Sequence, residues 1–159
     1  MKKKIIIIGG DPNSINSEII FKSWKKINKS IRRKIYLISS YNLIIDQLKK
    51  LNFSIKPKKV ISLNDMAKDY NLKIIDVPVK YKNPFNVSKK VSSFFVLSSL
   101  KLAHELSLKD KNVIGIINCP INKTLLKKDN IGVTEYLAKM CGIKNHSEVM
   151  LLKSKKISV

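Results

Sequence analysis

The sequence predicts a three-layer α/β/α fold built on a mainly parallel sheet. Short apolar runs rich in Ile and Val alternate along the chain with stretches in which apolar residues recur at helical spacing, and this alternation is typical of consecutive β-α-β units. The 159 residues, 44% of them apolar, suffice for one ordinary domain with its own core. We therefore expect one α/β unit spanning residues 1–159.

The first half of the chain contains two clear strand-helix pairs and one ambiguous region. The run Ile5–Ile8 is continuously apolar, as expected of a strand that is covered on both faces. Between Phe53 and Tyr81, Pro57 and Pro78 interrupt the pattern, so we expect only one strand there. The predicted elements are a strand at 5–8, a helix over 15–27, a strand at 34–38, a helix over 41–51 and a strand at 72–79.

The second half begins after the turn at Asn83-Pro84 with the longest predicted helix. Its apolar stripe consists of Val87, Val91, Phe94, Phe95, Leu102 and Leu106. The later elements are a buried strand at 112–118, a helical stretch around Leu125 and Leu126, a helix from Thr134 to Met140 that ends at Gly142, and strand-like segments at 147–152 and 157–159.

The formal net charge of +21 suggests a polyanion partner when it is taken alone. Almost all of this charge is lysine spread along the chain, however, and Arg32 and Arg33 are the only arginines. Nucleic-acid readers favour clustered arginine with interleaved aromatic residues. We therefore expect no nucleic-acid partner, and we interpret the lysines as a solvated surface shaped by an A/T-rich coding bias.

Three further features predict a cytoplasmic protein. No apolar run approaches the roughly 20 residues of a membrane span, so no membrane association is expected. The apolar run after Met1–Lys4 is too short for a signal peptide. Cys119 and Cys141 form no C-x-x-C motif and no disulfide framework, which favours a reducing compartment.

Three motifs lie at predicted strand-to-helix junctions. They read Gly10-Asp11-Pro12-Asn13-Ser14-Ile15-Asn16-Ser17-Glu18, Ile117-Asn118-Cys119-Pro120-Ile121-Asn122-Lys123 and Gly132-Val133-Thr134-Glu135-Tyr136-Leu137-Ala138. In this order they are similar to the motifs G-[DE]-P-x-G-I-G-x-E, T-[AG]-P-[IV]-x-K and G-H-T-E-[FY]-L-A. These are motifs of the PdxA family of 4-hydroxythreonine-4-phosphate dehydrogenases, which the chain therefore resembles.

The resemblance implies the fold of isocitrate and isopropylmalate dehydrogenases, here truncated to the N-terminal portion of a two-domain enzyme. It implies NAD and a divalent metal cation as cofactors, a small phosphorylated hydroxy acid as substrate, and a homodimer at full length. It places Thr134 among the substrate-binding residues. Asp11, Asn118, Asn122 and Lys123 are candidates for lining the same cleft.

Physical chemistry offers two interpretations for most of these residues. Loops at the carboxyl ends of parallel strands, followed by helix N-termini, present N–H groups to phosphates and carboxylates. Thr134 and Glu135 could equally be a helix cap with an acid in the first turn. Asp11 and Pro12 are interpreted mainly as turn residues, and Lys123 is either a phosphate contact or one solvated lysine among many.

The sequence also departs from the family pattern. Val133 occupies the position of the family's substrate-binding histidine, yet its side chain cannot form a hydrogen bond, and Ser14 and Asn16 replace glycines of the first loop. The resemblance places the metal ligands and further substrate-binding residues in a second half that follows Val159. We therefore expect no catalytic residue in this chain. We also expect no metal ligand in it, because His104 and His146 have no third ligand at suitable spacing.

Three hypotheses remain open from the sequence. The first is a dehydrogenase of this family whose given sequence is partial, oxidising and decarboxylating 4-phosphooxy-L-threonine in pyridoxal 5'-phosphate synthesis or acting on a related threonate or erythronate 4-phosphate. The second is a repurposed half-domain that folds but is inactive alone. The third is a basic binding module of unrelated function.

Overall fold

A computed structural model describes residues 3–65, 71–126 and 132–142 of the chain. Its centre is a single sheet in which every pair of neighbouring strands is parallel. The five strands are β1 (Lys4–Ile8), β2 (Ile35–Ser39), β3 (Lys56–Val60), β4 (Asn71–Asp76) and β5 (Val113–Asn118). They lie in the order β3-β4-β2-β1-β5, which confirms the predicted parallel α/β fold.

Helices cover both faces of this sheet. A short 3-10 helix, Lys123–Leu125, follows β5. The α-helices are α1 (Asn16–Lys26), α2 (Lys29–Arg32), α3 (Tyr41–Lys50), α4 (Lys89–Lys109) and α5 (Val133–Met140).

The central strand β2 shows why the fold has three layers. Its residues Ile35 and Leu37 pack with α1 and α3 in one apolar cluster. The alternate residues Tyr36 and Ile38 pack with α4 in the other cluster. All five residues of β2 are buried, because successive side chains of a strand point to opposite faces and both faces are covered.

Strand β3 is absent from the sequence prediction, and Pro57 is the reason. Its sequence Lys56-Pro57-Lys58-Lys59-Val60 has neither an apolar run nor clean alternation. The strand lies at one edge of the sheet and pairs only with β4 among the described residues. Proline and lysine are tolerated at an edge, where one side of the strand needs no hydrogen-bonding partner.

Two burial predictions for the second half of the chain are wrong. The sequence predicts a buried strand β5, yet Ile114 and Ile117 are 57% and 55% exposed. Strand β5 is the last strand of the described sheet, and no described helix covers these two side chains. On α4, the predicted core residue Phe94 is 72% exposed. Smaller residues, including Ser92 and Ser99, are buried on this helix together with Phe95.

The remaining predicted elements agree with the structure within a few residues, including α5 and the left-handed Gly142, whose φ is +71°. The strand-like segments at 147–152 and 157–159, together with His146, lie outside the described residues. No helix of the described part is both long and apolar enough to cross a bilayer.

Candidate functional site

The loops that follow β1 and β5 lie side by side at the carboxyl edge of the sheet. They meet because β1 and β5 are paired in parallel, with Ile8 opposite Asn118. The Cys119 amide donates to the Ile8 carbonyl at 3.0 Å, and the Asp11 amide donates to the Pro120 carbonyl at 3.2 Å. The first and second sequence motifs therefore form one continuous surface at the edge where α/β proteins bind their ligands.

Gly10 permits this close approach of the two loops. Its φ of +73° lies in the left-handed region, which other residues adopt at a cost. A Cβ built on Gly10 would lie 2.5 Å from Asn16 Nδ2, 2.6 Å from the Pro120 carbonyl oxygen and 2.9 Å from that of Cys119. Both the backbone conformation and the available space therefore require glycine.

Asn16 joins the same two loops through its side chain. Its Nδ2 donates to the Gly9 carbonyl at 2.9 Å and to the Pro120 carbonyl at 2.8 Å, with the Asp11 carbonyl at 3.3 Å. The residue is 3% exposed. Asn16 replaces a glycine of the motif that the sequence resembles, so in this chain a side-chain amide fills space that the glycine leaves free.

We predict that Asn16→Gly lowers the free energy of unfolding by about 2 kcal/mol. The change removes two hydrogen bonds of a buried side chain, each contributing about 0.5–1.5 kcal/mol, and places glycine in a helix. The measurement is urea unfolding followed by circular dichroism.

Ser14→Gly is the matched control, because it restores the other glycine of the motif. Ser14 is half-buried, and its hydroxyl bonds only locally among the described residues: it donates to the Asp11 carbonyl at 2.8 Å and accepts from the Asn16 amide at 3.3 Å. We expect a change below about 1 kcal/mol at this position. Equal effects of the two substitutions would show that Asn16 does not join the loops energetically.

Asp11 shapes the first loop. Its Oδ1 accepts a hydrogen bond from the Asn13 amide at 2.9 Å, and its carbonyl accepts from the Ser14 amide at 3.3 Å. This is the Asx-turn geometry expected of a turn residue. The Asp11 side chain remains half-buried at the carboxyl edge of the sheet.

Asn13 and Gln47 join the first loop to a third loop, which contains Pro84 and Val87. The sequence-based prediction included no role for either side chain. Asn13 accepts from the Val87 amide at 2.7 Å and donates to the Val87 carbonyl at 2.8 Å. Gln47 Nε2, on α3, donates to the carbonyls of Pro12 and Pro84 at 2.8 and 2.7 Å. A glutamine within the apolar stripe of α3 is the sequence signal for this role.

The three candidates on the second loop, Asn118, Asn122 and Lys123, are all exposed. Asn122 caps the 3-10 helix, with its Oδ1 accepting from the Thr124 amide at 3.0 Å. Asn118 makes only a long contact, 3.4 Å, with the Cys119 carbonyl. Lys123 is exposed and forms no side-chain hydrogen bond or ion pair among the described residues, so its ammonium group is available to a ligand.

Thr134 and Val133 begin helix α5 with opposite environments. Gly132, not Thr134, is the N-cap residue, and Thr134 is exposed in the first turn. Val133 is partly buried against the cluster that includes α4. Within the described residues, no hydrogen bond connects Thr134 with the first or second loop. The third motif meets the second through apolar packing instead, since Val133 and Ile121 pack against the same cluster.

The described residues contain no group of three or more His, Cys, Asp or Glu side chains able to hold a metal ion. Cys119 lies between the two loops but is buried, and burial raises the pKa of its thiol to about 11. A thiol in this state is a poor nucleophile at neutral pH.

Sequence comparison connects this geometry with known proteins. The family described as pyridoxal phosphate biosynthetic protein PdxA matches residues 14–159. A 4-hydroxythreonine-4-phosphate dehydrogenase of Sulfurihydrogenibium sp. is 28% identical over 98% of this chain and 48% of its own length. The protein of the same name from Aquifex aeolicus is 30% identical over 100% of this chain and 48% of its own length.

Solved structures show the same architecture. A 4-hydroxythreonine-4-phosphate dehydrogenase from Burkholderia phymatum superposes with a TM-score of 0.84 at 20% identity, covering 99% of this chain and 48% of that protein. The chain thus spans about half the length of the curated relatives it matches. On the match over residues 14–159, together with the parallel α/β fold of these structures, the chain belongs to the PdxA family.

Proposed function

We propose that the protein takes part in the NAD-dependent oxidation and decarboxylation of 4-phosphooxy-L-threonine in pyridoxal 5'-phosphate synthesis. The observation that carries this proposal is the joining of the first two motifs at the carboxyl edge of the sheet in a chain of the PdxA family. The relatives' name, 4-hydroxythreonine-4-phosphate dehydrogenase, supports the substrate and its oxidation, and NAD and the decarboxylation are parts of our proposal.

Within this reaction, the chain's own residues would bind and orient the substrate. The exposed hydroxyl of Thr134 at the start of α5 can hydrogen-bond to an anionic substrate, since Gly132 already occupies the cap position. The exposed ammonium of Lys123 can attract its phosphate. Asp11, Asn118 and Asn122 would complete the polar wall.

Our proposal also includes two cofactors, NAD and a divalent cation. NAD would accept the hydride, and a divalent cation would stabilise the enolate formed when carbon dioxide leaves. The described residues do not supply a ligand set for that cation, so we assign its ligands to the part of the family's length that this chain does not span. A cytoplasmic homodimer of the full-length enzyme completes the proposal.

The test is NADH formation by the natural gene product with 4-phosphooxy-L-threonine and Mg²⁺, Mn²⁺, Co²⁺ or Zn²⁺. We expect turnover, and we expect Thr134→Ala to lower kcat/KM by about 10- to 100-fold, because a hydrogen bond to a charged group contributes about 1.5–3 kcal/mol. Thr134→Ser should recover most of the loss. A folded protein that neither turns over nor binds the substrate would contradict the proposal.

Lysine controls separate a specific phosphate contact from the general positive field. Lys123→Ala should raise KM, while Lys29→Ala removes the same charge at the opposite edge of the sheet, at the start of α2. If both substitutions raise KM equally, the net positive charge of the protein attracts the phosphate, and Lys123 is not a specific phosphate contact.

Val133 supports a second candidate, a related substrate such as threonate or erythronate 4-phosphate. The side chain packs into the core cluster and offers no hydrogen bond where the resembled motif has histidine. Comparing kcat/KM for the three phosphorylated acids, in the natural protein and in Val133→His, decides between the candidates. A higher value for 4-phosphooxy-L-threonine in both proteins would exclude the second candidate.

Binding without turnover by the 159-residue chain would identify the catalytically incomplete half-domain. In that case isothermal titration should detect the phosphorylated substrate while no NADH forms. Loss of that binding in Thr134→Ala would place the bound ligand at α5 even in the absence of catalysis.

A further inference from the structure

A thiol and an imidazole meet where the end of α5 packs against α4. Cys141 Sγ, in the residue directly after α5, lies 3.4 Å from His104 Nε2 on α4. The two residues are 37 positions apart in sequence, so no sequence spacing indicates that they meet. Cys141 is exposed and His104 is partly exposed, so both atoms are within reach of solvent ions.

We infer that Cys141 and His104 form a binding site for a thiophilic divalent cation of the zinc class. A tetrahedral zinc ion has a Zn–S distance of about 2.3 Å and a Zn–N distance of about 2.0 Å, which places two ligand atoms about 3.5 Å apart. The observed 3.4 Å between Sγ and Nε2 is close to this spacing. Water completes the coordination, as the exposure of the pair permits.

The chemistry of the two ligands selects the metal class. A thiolate with an imidazole favours Zn²⁺ or Co²⁺ over Mg²⁺ and Ca²⁺, which require oxygen ligands. Binding of the ion displaces the thiol proton, and the imidazole binds the ion in its neutral form. The neighbouring cation on α4, Lys101, has its charge offset by Glu105 at 3.9 Å.

A metal ion bound by both residues would hold the C-terminal end of α5 against α4. Helix α5 is held mainly by partly buried residues, and Ala138 is its only fully buried residue. The opposite end of α5 carries Thr134. A metal bridge at the C-terminal end would therefore limit movement of the helix without touching the substrate face, and this site is separate from the metal of the proposed reaction.

Cobalt titration of the reduced protein tests the site. We expect a thiolate-to-cobalt charge-transfer band and the visible absorption of tetrahedral Co²⁺, both displaced by Zn²⁺. The bands should be lost in Cys141→Ser and weakened in His104→Gln. Cys119→Ser is the matched control and should retain them, since Cys119 is buried.

Thermal unfolding provides a readout that does not depend on activity. Zn²⁺ should raise the melting temperature of the natural protein but not that of Cys141→Ser, whose melting temperature without metal reports whether it folds. The inference is overturned if the bands keep their full intensity in His104→Gln, or if Zn²⁺ stabilises Cys141→Ser as much as the natural protein. Failure here leaves the proposed substrate site at Thr134 untouched.

Discussion

Gly10→Ala is expected to lower the free energy of unfolding by about 2–5 kcal/mol. The φ of +73° costs a residue with a side chain about 1–2 kcal/mol. The new methyl group would also lie within 3 Å of two carbonyl oxygens and of Asn16 Nδ2, and overpacking of this kind costs about 1–3 kcal/mol. Urea unfolding measured by circular dichroism and by tryptophan fluorescence gives the change.

Two other glycines separate the backbone cost from the steric cost. Among the described residues, Gly142 has a φ of +71° but no neighbouring atom within 4 Å of the position that a methyl group would take, and Gly115 has neither a positive φ nor such a neighbour. Gly142→Ala should therefore show only the backbone cost, and Gly115→Ala almost none. If Gly10→Ala costs no more than Gly142→Ala, the two loops are not in tight contact.

Lys73→Met is expected to raise the free energy of unfolding at pH 7 by about 1–2 kcal/mol. Lys73 lies in β4 and is 4% exposed. Burial, and secondarily the charge of Lys4, lowers its pKa from 10.5 to about 8, a shift that corresponds to about 3 kcal/mol. Removing the ammonium also loses its 2.6 Å hydrogen bond to the Arg33 carbonyl and its contact with the Tyr36 ring, which offsets part of the gain.

The pH dependence of stability follows from the sign of this shift. Below pH 8 Lys73 is charged in both states, and the full cost of burying the charge is present. Between pH 8 and 10.5 the folded protein has lost a proton that the unfolded chain still holds, so stability increases with pH across this window. In Lys73→Met this increase should disappear.

Two variants control for other groups in the measurement. Lys26→Met removes an exposed lysine from α1 and should leave the pH profile unchanged. Burial and the charges of Asp65 and Asp110 raise the pKa of Tyr36 above its ordinary value of 10.0, which makes stability fall above that pH, so Tyr36→Phe isolates the contribution of Lys73. An unchanged profile in Lys73→Met would mean that Lys73 is not desolvated in solution.

Much of the candidate site could be predicted from sequence because local chemistry places its residues. Asp11 follows an apolar run and precedes a helix, so a turn at the carboxyl end of a strand was foreseeable, as was the exposure of Lys123 and Thr134. Which loops Asn16 and Gln47 join was not foreseeable. Their hydrogen-bond partners, the carbonyls of Pro120 and Pro84, are 104 and 37 positions away.

The α/β class, the parallel sheet and the family follow from the sequence alone, because apolar periodicity and short motifs are local properties of the chain. Which residues are buried, and which of them meet, depends instead on the tertiary structure. Strands β3 and β5 lie at the two edges of the described sheet. This position permits Pro57 within β3 and leaves Ile117 of β5 exposed. Parallel pairing of β1 with β5 brought the first two motifs together, and the packing of α5 on α4 brought Cys141 to His104. Contacts between residues far apart in sequence depend on strand order and helix packing, which no local pattern specifies.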